Sequence, residues 1–231
     1  MAATELARAV AVIIDGNGRW AEQRGLPVAE GHRAGTKALR RTVEAAIDLG
    51  VESLAVYAFS TENWARPGDE VEALMEIFAE TIERELPDLA KEGVRARFVG
   101  RRDRAPAELL ARMAALEEET AANERLQLWI AFDYGGRAEL AAAARRLVED
   151  GVEPGDINEE ALAARLYEPD MPDPDLLIRT SGELRVSNFL LWQLAYAELH
   201  FVDTLWPDFG EAELRSALED YARRRRRFGG R

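Results

Sequence analysis

Apolar runs of strand length alternate with helical patterns along the 231 residues, and this βαβα rhythm predicts an α/β fold: a single domain with a mostly parallel six-stranded sheet flanked by helices. No internal repeat and no low-complexity linker divides the chain. The Pro/Asp-rich stretch PDMPDPD (169–175) is too short to separate domains, so residues 1–231 read as one unit.

The first strand is AVAVII (9–14). Leu39, Val43 and Ile47 then recur every four residues, as on one buried helix face. SLAVYAF (53–59) is the second strand. Residues 69–92 read as one long helix, with Val71, Leu74, Met75, Phe78, Ile82 and Leu89 along its apolar side. VRARFVG (94–100) and LQLWIAF (126–132) are strands, with a helix over 105–122 between them. Helices over 136–150 and 158–166 lead to strands DLLIR (175–179) and ELHFV (198–202), and a helix over 210–227 ends the chain. In such sheets ligands gather beyond the carboxyl ends of the strands. Asp15, Phe59 with Ser60, Asp133 and Arg179 each end a predicted strand, which places them around one crevice.

Composition narrows the chemistry. There is no cysteine, which excludes disulfides, zinc–thiolate sites, iron–sulfur clusters and thiol nucleophiles. A net charge of −13 argues against nucleic-acid binding, so an anionic substrate must meet a local cluster of cations. The N-terminal MAATELARAVAVIID carries no apolar signal core, and FLLWQLAYAEL (189–199) is too short and too polar to span a bilayer. The expected location is the cytoplasm. A Ser-His-Asp triad would have to use His32 or His200, and G-x-S-x-G, P-loop and G-x-G-x-x-G signatures are all missing.

Four stretches carry the candidate chemistry. DGNGR (15–19) puts an acid, two glycines and an arginine after the first strand, where a helix start attracts phosphate. Asp15 cannot face phosphate directly, but a Mg²⁺ between them gives it a role. A plain tight turn with a cap is the competing reading. AFSTENWARP (58–67) leaves the second strand through a polar loop; Thr61 or Asn63 can simply cap the next helix, whereas Trp64 suits a pocket wall. DLLIRTSGELRVSNF (175–189) offers Arg179, Arg185 and Ser187 as a second diphosphate clamp, or as an ion-paired surface loop. RRRRRFGGR (223–231) reads by composition as a solvated charge run at a helix C-terminus.

Taken together, DGNGRWA (15–21), GHRAG (31–35), YAFSTENWARP (57–67), DYGGR (133–137), DLLIRTSGELRVSNFLLWQLAYAEL (175–199), LWPDF (205–209) and RRFGG (226–230) resemble the cis-prenyltransferases, the undecaprenyl diphosphate synthase family, in order and over nearly the whole chain. The D-D-x-x-D cluster of the all-helical trans-prenyl synthases is not present. The resemblance implies repeated addition of isopentenyl diphosphate to an allylic diphosphate, usually farnesyl diphosphate, with a Z double bond formed and pyrophosphate released each time. It implies Mg²⁺ as cofactor, Asp15 as the essential acid and, with Glu198, as metal-associated. Gly16, Asn17, Gly18, Arg19 and Trp20 belong to the allylic-diphosphate motif, with His32 beside it. Asn63 is placed at the reacting centre with Ser60 and Arg66, and Phe59 and Trp64 shape it. Arg179, Arg185 and Ser187 bind the diphosphate of isopentenyl diphosphate. The Arg227-Phe228-Gly229 tail, with Gly229 as a site residue, reaches the neighbouring subunit of a homodimer, and membrane contact is at most peripheral.

The same resemblance implies an apolar tunnel walled by the second strand and the 69–92 helix. Small Ala58 leaves its path open, Leu126 closes its far end, and the product is of undecaprenyl class. A synthase that stops early and a non-catalytic partner subunit are the alternatives; retention of Asp15 and Arg19 speaks against the second. The sequence departs from common family patterns at Ala9 (often His), Val28 (often Arg), Leu184 (His in some members) and Asp133 (often Asn). Arg24 or Arg33 are the candidates to replace a cation missing at position 28.

Overall fold

The computed structural model describes residues 6–224. Strands β1 (Ala9–Ile13), β2 (Ser53–Ser60), β3 (Val94–Val99), β4 (Leu126–Tyr134), β5 (Leu176–Arg179) and β6 (Glu198–Phe201) form one sheet in the order β3-β4-β2-β1-β5-β6. Every pairing is parallel, so the sheet goes one step beyond the mostly parallel expectation. Successive side chains leave a strand on opposite faces. Val10 and Val12 therefore enter a large core with Leu39, Val43, Leu54, Val56, Leu74 and Leu218. Ala11 and Ile13 join Tyr57, Trp129, Leu177 and Phe189 on the other side.

The helices are α1 (Asn17–Glu22), α2 (Val28–Asp48), α3 (Gly68–Arg84), α4 (Leu86–Lys91), α5 (Ala107–Glu119), α6 (Gly136–Glu149), α7 (Glu159–Ala163) and α8 (Glu211–Arg223). The helix expected over 69–92 is two. Pro87 sits in the first turn of α4, where its missing N–H and its ring end α3 one turn earlier. The helix expected over 158–166 spans only Glu159–Ala163. A 3-10 turn over Thr61–Ala65 links β2 to α3, and Pro67 immediately precedes α3. The apolar stretch at 189–196 forms bends and turns that lead into β6. No described helix is long and apolar enough to cross a membrane.

Two glycines fix the first turn after β1. Gly16 has φ +106°, a conformation other residues rarely adopt, and it lets the chain reverse from β1 into α1. Gly31 on α2 lies against α1 so closely that a Cβ would fall 2.1 Å from the Asn17 carbonyl oxygen. Gly31→Ala must therefore push α1 off α2. A loss of roughly 2 kcal/mol or more is expected in urea unfolding, with a parallel loss of activity; wild-type stability would show that the contact is not required.

Candidate active site

Parallel pairing of β1 with β5 sets Ile13 beside Arg179, so Asp15 comes off β1 within reach of that guanidinium. Arg179 Nη2 donates to Asp15 Oδ2 at 2.8 Å, while Arg179 Nη1 donates to Ser187 Oγ at 2.6 Å and to the Arg185 carbonyl at 2.5 Å. One arginine, only 3% exposed, thus orients both the acid and the loop that follows β5. Thr180 fastens the strand end, accepting from the Asp15 amide at 2.8 Å. Arg19 lies 3.6 Å from Asp15 Oδ1 and donates to Ser181 through both terminal nitrogens. Burial would raise the Asp15 pKa; the hydrogen bond and charge of Arg179, with Arg19 behind, hold it below the usual carboxylate range.

Asp15 opens onto a crevice of about 490 Å³ at the carboxyl edge of the sheet. The crevice is lined by Gly16, Asn17, Gly18, Arg19 and His32 from the first motif and the start of α2. Phe59, Ser60, Asn63 and Arg66 come from the end of β2 and the 3-10 turn, and Arg179 from β5. Ser60 caps that turn and its amide donates to Asn63 Oδ1 at 2.9 Å, which fixes the Asn63 side chain. Arg66 is held by Glu70 at 2.7 Å. Three arginines against two acids line this cleft in a chain of net charge −13, which supplies the local positive cluster that an anionic substrate needs.

The crevice leads into an apolar cavity of about 80 Å³ between the sheet, α2 and α3. Ile14, Asn17, His32, Ala58 and Leu74 line both, and so form the neck between them. Ala58 sits where the β2–β4 register slips, between Tyr57 and Phe59. The inner wall is Leu39, Ile77, Phe78, Ile82, Phe98 and Ile130. Leu126 is fully buried in the core but is not part of that wall.

Several expected residues lie elsewhere. Trp20 turns outward: its indole donates to Asp208 at 2.7 Å, and Arg24 stacks on its ring and pairs with Asp208. Arg33 pairs with Glu30 and Glu80, so neither candidate replaces a cation at position 28, where Val28 lines the crevice. Trp64 backs the crevice rather than lining it, with its ring edge-on to Phe59 at 5.1 Å and its indole donating to Asp133 at 2.8 Å. Asp133 is fully buried, ion-paired with Arg104, and does not reach the crevice despite ending β4. Ser187 contacts Arg179, and the Arg185 side chain pairs with Glu183. Glu198 starts β6 opposite Leu176, toward the amino end of the sheet, and pairs with Arg224 at 2.9 Å. Among the described residues no cluster of three metal-binding side chains forms, and Gly229 with the rest of the 227–229 tail lies outside them. Glu70 was not foreseen, although Arg66 and Glu70 are spaced i,i+4 at the start of α3.

His32, at the neck, is pushed down to about 4 by burial, assisted by the charge of Arg66, so the imidazole is neutral at pH 7. Unfolding returns it to an ordinary value near 6.5, so the unfolded chain takes up a proton that the folded one refuses. The stability this confers is complete above pH 6.5 and is lost as pH falls towards 4. Between pH 7.5 and 4.5 wild type should lose roughly 2 kcal/mol more than His32→Gln in urea titrations. Equal losses in the two proteins would contradict the burial of a neutral imidazole.

The family model for undecaprenyl diphosphate synthase matches residues 13–229. A ditrans,polycis-undecaprenyl-diphosphate synthase, (2E,6E)-farnesyl-diphosphate specific, from Xanthomonas axonopodis pv. citri is 52% identical over 226 residues, covering 96% of this chain and 88% of the relative. An isoprenyl transferase from Thermotoga maritima is 49% identical over 224 residues, covering 96% of each chain. Lavandulyl diphosphate synthase from Lavandula x intermedia, solved with dimethylallyl diphosphate, superposes with a TM-score of 0.93 at 37% identity, covering 97% of this chain and 98% of that one. The crevice, the parallel sheet that builds it and these three likenesses agree: the chain belongs to the undecaprenyl diphosphate synthase family of cis-prenyltransferases.

Proposed function

We propose that the protein elongates prenyl chains, condensing isopentenyl diphosphate repeatedly with farnesyl diphosphate to give a Z-polyprenyl diphosphate of undecaprenyl class. The observation that carries this reading is the join of a cationic crevice, with Asp15 between two arginines, to an apolar cavity through a neck at Ala58. In each cycle the allylic C–O bond breaks, pyrophosphate leaves, the alkene of isopentenyl diphosphate attacks the allylic carbon and a proton is lost. Arg19 and the Gly16–Gly18 backbone hold the leaving diphosphate, where their donors meet the developing charge. Arg179, Arg185 and Ser187 bind the second diphosphate; Arg185 must first release Glu183. Asn63 on the 3-10 turn and Arg66 immediately after it flank the reacting carbons, and holding both substrates there supplies much of the acceleration.

The donor set fits Mg²⁺. One carboxylate facing a phosphate cradle is its usual protein share, and Asp15 lines the crevice with its side chain 31% exposed between Arg179 and Arg19. Bound there, Mg²⁺ would neutralise diphosphate oxygens and stabilise the leaving anion. Asp15→Asn keeps the shape but removes the charge, and its activity should fall at least about a hundredfold while its circular dichroism spectrum is retained. A folded Asp15→Asn protein that turns over normally would remove Asp15 from the chemistry.

The cavity is the entrance of the proposed tunnel. A long tail needs more room than about 80 Å³, so growth separates α3 from α2 and the sheet. Exposed Leu184, Tyr196 and Leu199 around the edge strand β6 suit the interface of a homodimer. Glu198 lies on that edge, too far from Asp15 in the same chain to share its metal, so its metal role is assigned across the interface. Product escape requires no more than peripheral contact with a lipid surface, and the acidic surface offers nothing for nucleic acid.

The test is incubation with farnesyl diphosphate, labelled isopentenyl diphosphate and Mg²⁺, with chromatography of the dephosphorylated products. Wild type should give an undecaprenyl-length ladder, and Ala58→Leu, which fills the neck, should stop several additions earlier. Exclusive formation of products with one or two added units by wild type would establish the early-stopping alternative.

A further inference from the structure

The 3-10 turn on the allylic side and the loop on the isopentenyl side are far apart in sequence, yet a single side chain ties them. Asn188 Nδ2 donates to Glu62 Oε1 in the turn at 2.9 Å. Its own Oδ1 accepts from the Arg137 amide at 2.9 Å, and its carbonyl accepts from the Gly136 amide at 2.7 Å, both at the start of α6. The preceding residue, Ser187, accepts the hydrogen bond from Arg179. The three segments pack tightly: a Cβ at Gly135 would fall 2.6 Å from Thr61 Oγ1 and 2.8 Å from Asn188 Nδ2. Asn188 has φ +63°, a left-handed conformation that Asn tolerates better than most residues, and Ser187 beside it has φ +45°. The join also marks Glu62: burial would raise its pKa, and hydrogen bonds led by that from Asn188 hold it low instead.

We propose that Asn188 is a positioning residue that sets the spacing between the two substrate sites, joining the turn that carries Asn63 and Arg66 to the loop that carries Arg185 and Ser187. This rests on the reading that Arg179, Arg185 and Ser187 hold isopentenyl diphosphate. Each diphosphate pocket is complete without Asn188, so its loss leaves binding of either substrate alone nearly intact. What changes is the relative placement of the reacting carbons, and a misplacement of about 1 Å can cost a hundredfold in rate. The signature is a fall in kcat with little change in either KM.

Asn188→Asp isolates the join. Asp keeps the oxygen that caps α6 and also tolerates the left-handed backbone, but it sets a second carboxylate against Glu62. We expect kcat to fall about tenfold or more, with the KM values for farnesyl diphosphate and isopentenyl diphosphate each within threefold of wild type. Adding Glu62→Gln restores one donor and one acceptor with their directions reversed, and Asn188→Asp/Glu62→Gln should recover kcat to within threefold. Glu62→Ala removes the same bond without touching α6, so it should reproduce the kcat loss at a near-wild-type melting temperature. The proposal is overturned if Glu62→Ala turns over normally, or if Glu62→Gln fails to rescue Asn188→Asp. Arg185→Ala, measured alongside, should raise the KM for isopentenyl diphosphate. If it does not, the assignment of the loop falls, whatever the Asn188 and Glu62 variants show about spacing.

Discussion

A guanidinium that is almost wholly buried needs partners for its charge and its donors, and both terminal nitrogens of Arg179 find them in Asp15, the Arg185 carbonyl and Ser187, while its buried Nε has no hydrogen-bond partner. Neither end of its ion pair with Asp15 is free to move. β1 and β5 are adjacent parallel strands, and their register decides how far each side chain projects beyond the sheet. Arg179 is the buried end of the pair and Asp15 the half-buried one, so the pair fixes how the two strand ends meet as well as the chemistry. Its geometry brings a carboxylate, two cations and a hydroxyl to one strand edge before any substrate arrives.

The rest of the site follows from keeping two solvents apart. Diphosphate chemistry needs donors and charge, and an isoprenoid tail needs neither. The crevice and the cavity meet at a neck of five side chains, two of which are polar. His32 is neutral there, which lets it face both environments without placing a cation against the apolar wall. Ala58 stands at the register slip of β2, where the strand leaves regular pairing with β4. The small side chain and the local irregularity act on the same spot, so the neck is open because of both.

Much of this was legible in the residues. The six strands stand out because parallel strands covered on both faces are nearly continuous apolar runs, and their carboxyl ends point to the crevice. The break after α3 was missed where 69–92 reads as one helix, although Pro87 signals it, since a proline cannot occupy a helix interior without losing a bond. Direction was not legible. Whether Trp20 faces the crevice depends on Asp208, which lies 188 residues away and draws the indole outward. Arg24 is drawn to the same distant Asp208, and Arg33 to Glu30 on its own helix and Glu80 on α3. Nor could sequence show that Asn188 contacts Glu62 across 126 residues, because the contact exists only once β2, α6 and the loop after β5 share one edge.

Asp15 and Asp133 show what separates a chemical carboxylate from a structural one. Both end a strand of the same sheet, and position alone made them equal candidates. Asp133 is fully buried in a left-handed conformation, and both of its oxygens are taken by Arg104 while one also accepts from the Trp64 indole. It has nothing left to offer a ligand. Its role is to hold Trp64 behind Phe59 and so to brace the turn that carries Asn63 and Arg66. Asp15 is only half-buried: Arg179, Arg19 and Ser181 hold it, yet its carboxylate lines the crevice and stays partly open to it. The useful distinction is therefore unspent coordination. A carboxylate whose partners fix its position but do not exhaust its oxygens can act on a substrate, and one whose partners exhaust them can only support the residue that does.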